Sequence, residues 1–410
     1  MQSTTTQDLF LWVCKILICF ATPSVLLFAF GCAKQRNPVP VGKFYMAEIP
    51  DIPGVRAFGG SYSEVFQKDM EESLTQEPAK LFVDNESGGK IYKFLALSSG
   101  GPNGAFGAGF LAGWTAHGTR PNFKVVTGIS TGAIIAPFAF IGPEYDPQLE
   151  ELFTSTSTKS LIRHKGFRVF NNPESLADST PMLTTMRELA DEHFLKRIAE
   201  EHNKGKRLLI GTTHLDAGHL VVWNMGIIAN SKSPNALELF HKVILASASI
   251  PGVFPPVYID VKVGKEDFDE MHLDGAIKAQ FFLAEALIDL AKAEAKFGSQ
   301  LQKAKKEFYI IRNGKLSPEP AQVERRLVPI LTRAMAGMTQ TAVRDSLYRV
   351  YVFAQNAEAD FNYIGVPNNY NLRQSQEFAN ESEMINLFNE GFSTAVRGPE
   401  WIKNPQTLGF

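Results

Sequence analysis

The sequence predicts an α/β protein with a mainly parallel central sheet and helices on its faces, and three stretches carry that prediction. Residues 91–98 (Ile-Tyr-Lys-Phe-Leu-Ala-Leu-Ser) read as a buried strand that runs straight into Gly100-Gly101-Pro102-Asn103-Gly104. An Ala/Gly-rich helix then covers about 105–117. Lys124-Val125-Val126-Thr127 forms a second short strand that ends at Gly128, and an apolar helix begins at Thr131. Further strands are expected at 207–213, 219–224, 307–312 and 349–355, interleaved with helices at 233–247, 281–297 and 382–396. Parallel strands need long crossovers, and this strand–loop–helix alternation supplies them.

The remaining elements follow from periodicity. Val65, Phe66, Met70 and Leu74 share one face of a helix over 61–74, and Met384, Leu387, Phe388 and Phe392 do so over 382–396. Asp216-Ala217-Gly218 ahead of Val221-Val222-Trp223 reads as a hairpin turn. Residues 156–180 lack a clean period and suggest a flap. Within them Lys159, Arg163, His164, Lys165 and Arg168 mix with Phe167 and Phe170, and no acid occurs from Leu152 to Pro173. That stretch is either a solvated surface or a face for anionic lipid headgroups. Phe106, Phe138 and Phe140 are either core residues or the lining of an acyl pocket.

Among 410 residues, 41 are basic and 43 acidic, so the net charge of −2 excludes a dedicated nucleic-acid binder. The three cysteines are Cys14, Cys19 and Cys32. No disulfide framework, Cys-based zinc site or Cys nucleophile is therefore possible in the body. Residues 16–30 are apolar and Lys15 precedes them, a length that suits a signal h-region better than a membrane span. The run ends Ala29-Phe30-Gly31-Cys32, similar to a bacterial lipoprotein signal. On this reading residues 1–31 are the signal, Cys32 is the lipid attachment site, 32–60 form a Pro-containing tether and 61–410 the domain. An uncleaved anchor or a free secreted protein are the other readings, and all three place the body outside the cytoplasm.

Gly128-Ile129-Ser130-Thr131-Gly132 matches G-x-S-x-G, with a strand before it and a helix after it. Glycines flank such a serine because the bend leaves no room for Cβ atoms, and the helix directs its positive end at the reacting centre. Acyl transfer also needs donors for an oxyanion. The loop Ser99 to Gly104, with Gly100 and Gly101 bare, offers backbone N–H groups between a strand and a helix. A dinucleotide site fits less well. Ser99 stands where the first glycine of G-x-G-x-x-G would, and no acid occurs from Gly88 to Pro143. For the general base two arrangements stand. One is a triad completed by Asp216 with His241 or His272, although no histidine follows His272. The other is Asp274, which Gly275 follows at a strand end, acting alone if burial raises its pKa. A plain turn aspartate is the structural alternative.

Taken together, Ala96–Phe106, Gly128–Gly132 and Asp274-Gly275-Ala276, with Ala246-Ser247-Ala248-Ser249-Ile250-Pro251-Gly252-Val253-Phe254-Pro255-Pro256 between them, resemble the ordered signatures of patatin-like phospholipases. The resemblance covers residues 90–280 well. It implies a three-layer α/β/α fold and hydrolysis of lipid carboxylic esters, of the phospholipase A or lysophospholipase kind, without metal or cofactor. It also implies a Ser–Asp dyad, with Ser130 as nucleophile, Asp274 as base, and Gly100 and Gly101 as the oxyanion hole. The implied partners are a lipid ester and, through Cys32, a membrane, with no nucleic acid. Two positions depart from the family. Its glycine triplet reads Ser99-Gly100-Gly101, so Ser99 is strained if that position needs φ > 0, and its usual basic residue is Asn103. A Ser-His-Asp esterase and a catalytically inactive binding module are the alternative functions.

Overall fold

The computed structural model describes residues 35–84, 87–155, 163–164, 174–284, 287–297, 304–315, 317, 320–372 and 381–408. Its strands are β1 (Arg56–Phe58), β2 (Ile91–Leu97), β3 (Val125–Ile129), β4 (Arg163–His164), β5 (Ala177–Asp178), β6 (Arg207–His214), β7 (His219–Asn224), β8 (Val257–Val263), β9 (Glu266–Asp274), β10 (Lys305–Arg312) and β11 (Asp360–Gly365). The helices are α1 (Glu64–Thr75), α2 (Gly104–His117), α3 (Thr131–Ile141), α4 (Asp146–Thr154), α5 (Thr180–Leu189), α6 (Glu192–Asn203), α7 (Met225–Asn230), α8 (Ala236–Ser247), α9 (Leu290–Phe297), α10 (Leu327–Asn356) and α11 (Glu381–Val396). Cys32, the apolar run before it, and Lys159, Lys165, Phe167, Arg168 and Phe170 lie outside the described residues.

Nine strands make one sheet in the order β1-β7-β6-β3-β2-β10-β11, and β9 also pairs with β6 and carries β8 at its outer edge. The run β6-β3-β2-β10-β11 is parallel throughout. The other pairings in the sheet are antiparallel. Every residue of β3 and β6 is buried, the mark of strands covered on both faces. Alternation then divides the side chains between two cores. Leu95, Leu97 and Val126 join α2, α3, α8 and α11 on one face, whereas Phe94, Ala96 and Val125 join α1 and α10 on the other. The three-layer α/β/α architecture is thus present.

Three local expectations are corrected, and one pair of alternatives is decided. Residues 349–355 are helical, not a strand. Arg349-Val350-Tyr351-Val352-Phe353 is rich in β-forming residues, yet Val343, Leu347, Val350 and Ala354 are the fully buried ones, at helical spacing. The helix placed at 281–297 covers only Leu290–Phe297. Phe281, Phe282, Leu283 and Leu287 bury themselves along an irregular path in which Ala284 has φ +62°. Residues 35–58 are no free tether, since Val39, Ile49, Ile52 and Val55 enter the main core and β1 pairs with β7. Arg36 adds ion pairs to Asp216 and Asp269 at 2.7 and 2.8 Å. The scattered prolines there hid an apolar set that has no period. Phe106 and Phe140 belong to the core and are fully buried.

Helices α2 and α11 cross with almost no side chain between them. A Cβ on Gly109 would lie 2.0 Å from the Phe388 carbonyl oxygen, and one on Gly391 would lie 2.1 Å from that of Phe106. Both obstacles are backbone, so neither can swing aside. Gly109→Ala is expected to lower the unfolding free energy by ~1–3 kcal/mol, as overpacking does, despite alanine's better helix propensity. Urea denaturation checks it, and an unchanged midpoint would refute the tight crossing.

Candidate functional site

The ends of two strands meet on one edge of β6. Ile129, last in β3, lies opposite Gly211, and Asp274, last in β9, lies opposite the next residue, Thr212. β3 runs parallel to β6 and β9 runs against it, so the two approach head to head. The chain therefore turns out of the sheet at Ser130 and Asp274 side by side, although 144 residues separate them. The Ser130 hydroxyl donates to Asp274 Oδ2 at 2.6 Å, and both side chains are buried.

Ser130 forms the turn between β3 and α3 with φ 57° and ψ −124°, one of four non-glycine residues with positive φ among those described. Such a conformation costs about 1–3 kcal/mol and persists only where neighbours impose it. They do so from two sides. The Ser130 N–H donates to Ser247 Oγ at 2.9 Å, and the Ser247 hydroxyl donates to the Gly211 carbonyl at 2.7 Å. At Gly132 a Cβ would lie 2.2 Å from the Leu97 carbonyl oxygen, and at Gly128 one would lie 2.3 Å from the Gly132 carbonyl oxygen. Only glycine at these places lets α3 start against the end of β2.

Asp274 is held by its backbone as firmly as by its carboxylate. Its N–H donates to the Ser249 carbonyl at 3.0 Å, and its own carbonyl accepts from the Thr213 hydroxyl at 2.9 Å. The free carboxylate oxygen, Oδ1, accepts from the Ala276 N–H at 2.8 Å. Burial pushes the Asp274 carboxyl up to about 7, against the lowering influence of the Ser130 and Ala276 hydrogen bonds. No cation among the described residues offsets the burial.

The glycine loop lies across the end of β2. Neither the Gly100 nor the Gly101 N–H donates to an acceptor among the described residues. Gly101 takes φ +55° and Gly100 fits where a Cβ would meet the Asn313 carbonyl oxygen at 2.1 Å. The expected strain at Ser99 is absent, because the left-handed position is Gly101. Ser99 instead donates its hydroxyl to Gln280 Oε1 and its N–H to the Gln280 carbonyl at 3.0 Å. Asn103 lines a cavity of about 260 Å³ with Pro102, Tyr370 and residues of α11.

Sequence reading passed over Arg312 and Asn313, which hold this loop from the end of β10. Arg312 Nη1 donates to the Ser99 carbonyl at 2.7 Å and to Ser98 Oγ at 3.1 Å. Asn313 Nδ2 donates to the Ser98 carbonyl at 2.7 Å. In a trans peptide the carbonyl and the following N–H point oppositely, so holding the Ser99 oxygen aims the Gly100 N–H away from Arg312. Arg312 is buried, has no carboxylate partner among the described residues, and is pushed below its usual pKa by burial. An arginine followed by an asparagine at the carboxyl end of a parallel strand was the available signal, since ligands meet open α/β sheets there.

The histidines lie elsewhere. His272 Nδ1 meets the Thr212 hydroxyl at 2.9 Å and its Nε2 meets Glu270 at 3.1 Å. Burial lowers its pKa to about 4. Although burial alone would raise the Glu270 carboxyl, Arg56, His214 and His272 hold it far below the carboxylate range. His241 Nε2 contacts the Ala190 carbonyl at 2.7 Å, and Asp216 pairs with Arg36. The geometry of a triad through Asp216, His241 or His272 is therefore not present. Among the described residues no cluster of His, Cys, Asp and Glu suits a metal ion.

Residues 95–287 match the family model described as patatin-like phospholipase. Among curated protein sequences nothing matches. Similar solved structures include VipD from Legionella pneumophila, at 12% identity over 78% of this chain and 70% of that one, with a TM-score of 0.31. Another is the type III effector protein ExoU, at 13% identity and a TM-score of 0.30 over 75% of this chain and 52% of that one. The chain thus spans about half of ExoU's length.

The raised pKa of Asp274 makes a prediction about stability. A carboxyl ionising near 7 when folded and near 3.9 when unfolded binds its proton more tightly in the folded state. Its contribution to stability is then full below the unfolded value and is lost as pH rises through about 7. Asn in its place keeps an acceptor for Ala276 and carries no charge. Asp274→Asn is expected to be more stable than the parent at pH 8, on the order of 1–3 kcal/mol, with the gain gone at pH 4. Thermal melts at the two pH values measure it, and a gain independent of pH would contradict the assignment.

Proposed function

We propose, from the premise that residues 95–287 carry a patatin-like phospholipase domain, that this chain is a serine hydrolase of lipid carboxylic esters working through a Ser130–Asp274 dyad. The observation that carries the reading is the 2.6 Å hydrogen bond from the Ser130 hydroxyl to a buried carboxylate whose pKa lies near 7. A general base works best when its pKa is close to the working pH. Neutral-pH ionisation of an ordinary carboxylate would leave it too weak to take a serine proton.

The reaction follows from the atoms. Ser130 Oγ attacks the ester carbonyl carbon while its proton passes to Asp274 Oδ2. The carbonyl oxygen becomes an oxyanion that the free N–H groups of Gly100 and Gly101 receive, with the loop held in place by Arg312 and Asn313. As the intermediate collapses, Asp274 gives the proton to the departing alcohol oxygen and an acyl-Ser130 ester remains. Water then attacks that ester, losing its proton to Asp274, and the second collapse frees the fatty acid and restores the hydroxyl. The dyad serves both halves because Asp274 Oδ1, fixed by the Ala276 N–H, never has to move. The apolar run before Ala29-Phe30-Gly31-Cys32 supports attachment of the mature protein to a membrane through lipidated Cys32.

A fluorophosphonate probe is expected to modify Ser130 alone, as peptide mapping would show, and Ser130→Ala to abolish labelling. Asp274→Asn should cost roughly 10²–10⁴ in ester hydrolysis while His241→Gln stays near the parent rate. Labelling at another serine would overturn the dyad. Because Asp274 must be ionised to accept the proton, kcat/KM should fall about tenfold per pH unit below an inflection near 7 and level off above it. A profile flat from pH 5 to 8 would exclude Asp274 as the base.

A further inference from the structure

The crossover helix between β10 and β11 is far longer than the strands it joins. α10 has 30 residues, or about 45 Å of helix, whereas the 8 residues of β10 span about 26 Å. Its C-terminal half lies on the sheet, where Val343, Leu347, Val350 and Ala354 are fully buried. The level of the candidate site along the helix is fixed by a chain of bonds. Ser346 Oγ accepts from the Gln280 N–H at 3.2 Å, and Gln280 in turn accepts the N–H of Ser99, next to the glycine loop. Residues 327–346 therefore carry about 28 Å of helix outward from that level, past the strand ends where Ser130 and Asp274 stand.

On one side this outward half exposes apolar side chains. Leu327, Ile330, Leu331, Met335 and Met338 are 50–73% exposed. At 100° per residue they fall within an arc of about 140°, broader than a coiled-coil seam. The charges around them have one sign. From Arg325 to Arg344 no acidic residue occurs, while Arg325, Arg326, Arg333 and Arg344 do. Glu324 pairs with Arg326 and Asp345 approaches Arg344 at 3.9 Å, just outside that stretch. No helix among the described residues is long and apolar enough to cross a membrane. An apolar arc with a basic rim is what an interfacial helix presents to acyl chains and anionic headgroups.

We propose that residues 327–338 of α10 dock on an anionic phospholipid surface and bring the mouth of the Ser130 site down to it. The proposal rests on the lipid-ester reading of that site for its purpose, and its test does not depend on that reading. Arginine side chains at the rim meet the headgroups while Leu331, Met335 and Met338 enter the acyl boundary. The helix leaves the sheet at the end where substrate must enter, and its exposed arc is on the side turned away from the face that Val343, Leu347, Val350 and Ala354 bury, so the bilayer would lie beside that end of the sheet.

Two measurements on the full chain test it. Brominated-lipid quenching is read for a tryptophan placed by Met335→Trp, as the difference from the parent chain. It is expected to be strong in vesicles of phosphatidylglycerol with phosphatidylcholine and weak in phosphatidylcholine alone. The triple variant Leu331→Glu/Met335→Glu/Met338→Glu is expected to lose at least tenfold in hydrolysis of the anionic vesicles and to keep its rate on a soluble short-chain ester. Absent quenching in anionic vesicles, or an equal loss on both substrates, would overturn the docking. Association of the parent chain into dimers that the triple variant abolishes, with no quenching, would assign the arc to a second copy instead. If no ester is hydrolysed at all, the functional reading fails while the quenching still decides the docking.

Discussion

The register of β3 and β9 on the shared edge of β6 is the constraint from which the site follows. Opposite Gly211 stands Ile129 and opposite Thr212 stands Asp274, so two strands of opposite direction use up one edge without a gap. Each must leave the sheet where the other arrives. A serine and an aspartate far apart in sequence are thereby set within a hydrogen bond, by backbone pairing and not by the flexibility of either side chain. Pairing fixes position to within a residue, since a one-residue slip would turn Asp274 to the other face. Ser247 then ties both neighbours, taking the Ser130 N–H and bonding the Gly211 carbonyl.

Around this junction the structure accepts several local costs. Ser130 sits at positive φ, and among the described residues Asp274 is buried with no cation and Arg312 with no anion. The two charges are of opposite sign and are not paired with each other; Arg312 is engaged with the Ser98 hydroxyl and the Ser99 carbonyl. A direct pair would pull the aspartate pKa down and leave it a poor base at neutral pH. Separation keeps the carboxyl basic and leaves the guanidinium to fix a peptide plane. The stability that tolerates these costs comes from a sheet sealed on both faces and from the tight crossing of α2 and α11.

Much of this was legible in the sequence where local signals agree with the fold. The strand–glycine loop–helix run at 91–117 and the elbow at 128–132 are short-range features with glycines at fixed offsets, and they appear where they were placed. The neighbour relation of Ser130 and Asp274 was not legible from spacing, because it depends on which strand edge β9 takes. It was reached through family resemblance instead. The strand assigned at 349–355 failed because Val, Tyr and Phe favour strands on their own, whereas burial on the sheet follows Val343, Leu347, Val350 and Ala354. Residues 35–58 failed in the opposite way. Their apolar side chains pack in an order that only the finished surface defines.

The same misread helix shows how one element can serve two environments. Its inner half buries Val343, Leu347, Val350 and Ala354 at helical spacing against a core. Its outer half leaves Leu327, Ile330, Leu331, Met335 and Met338 exposed, where a soluble surface would be expected to turn polar. It does not: an apolar arc lies beyond the last buried residue, on the side of the helix opposite the buried stripe, and the charges beside it are arginines. A helix that only had to return the chain from β10 to β11 would need about the length of those strands. The surplus stands at the end of the sheet where the parallel strands release their carboxyl termini, and its exposed apolar side chains lie beyond the stretch buried on the sheet. Length, position and composition thus point outward together, and the physical reason for each is the environment the mouth of the site meets.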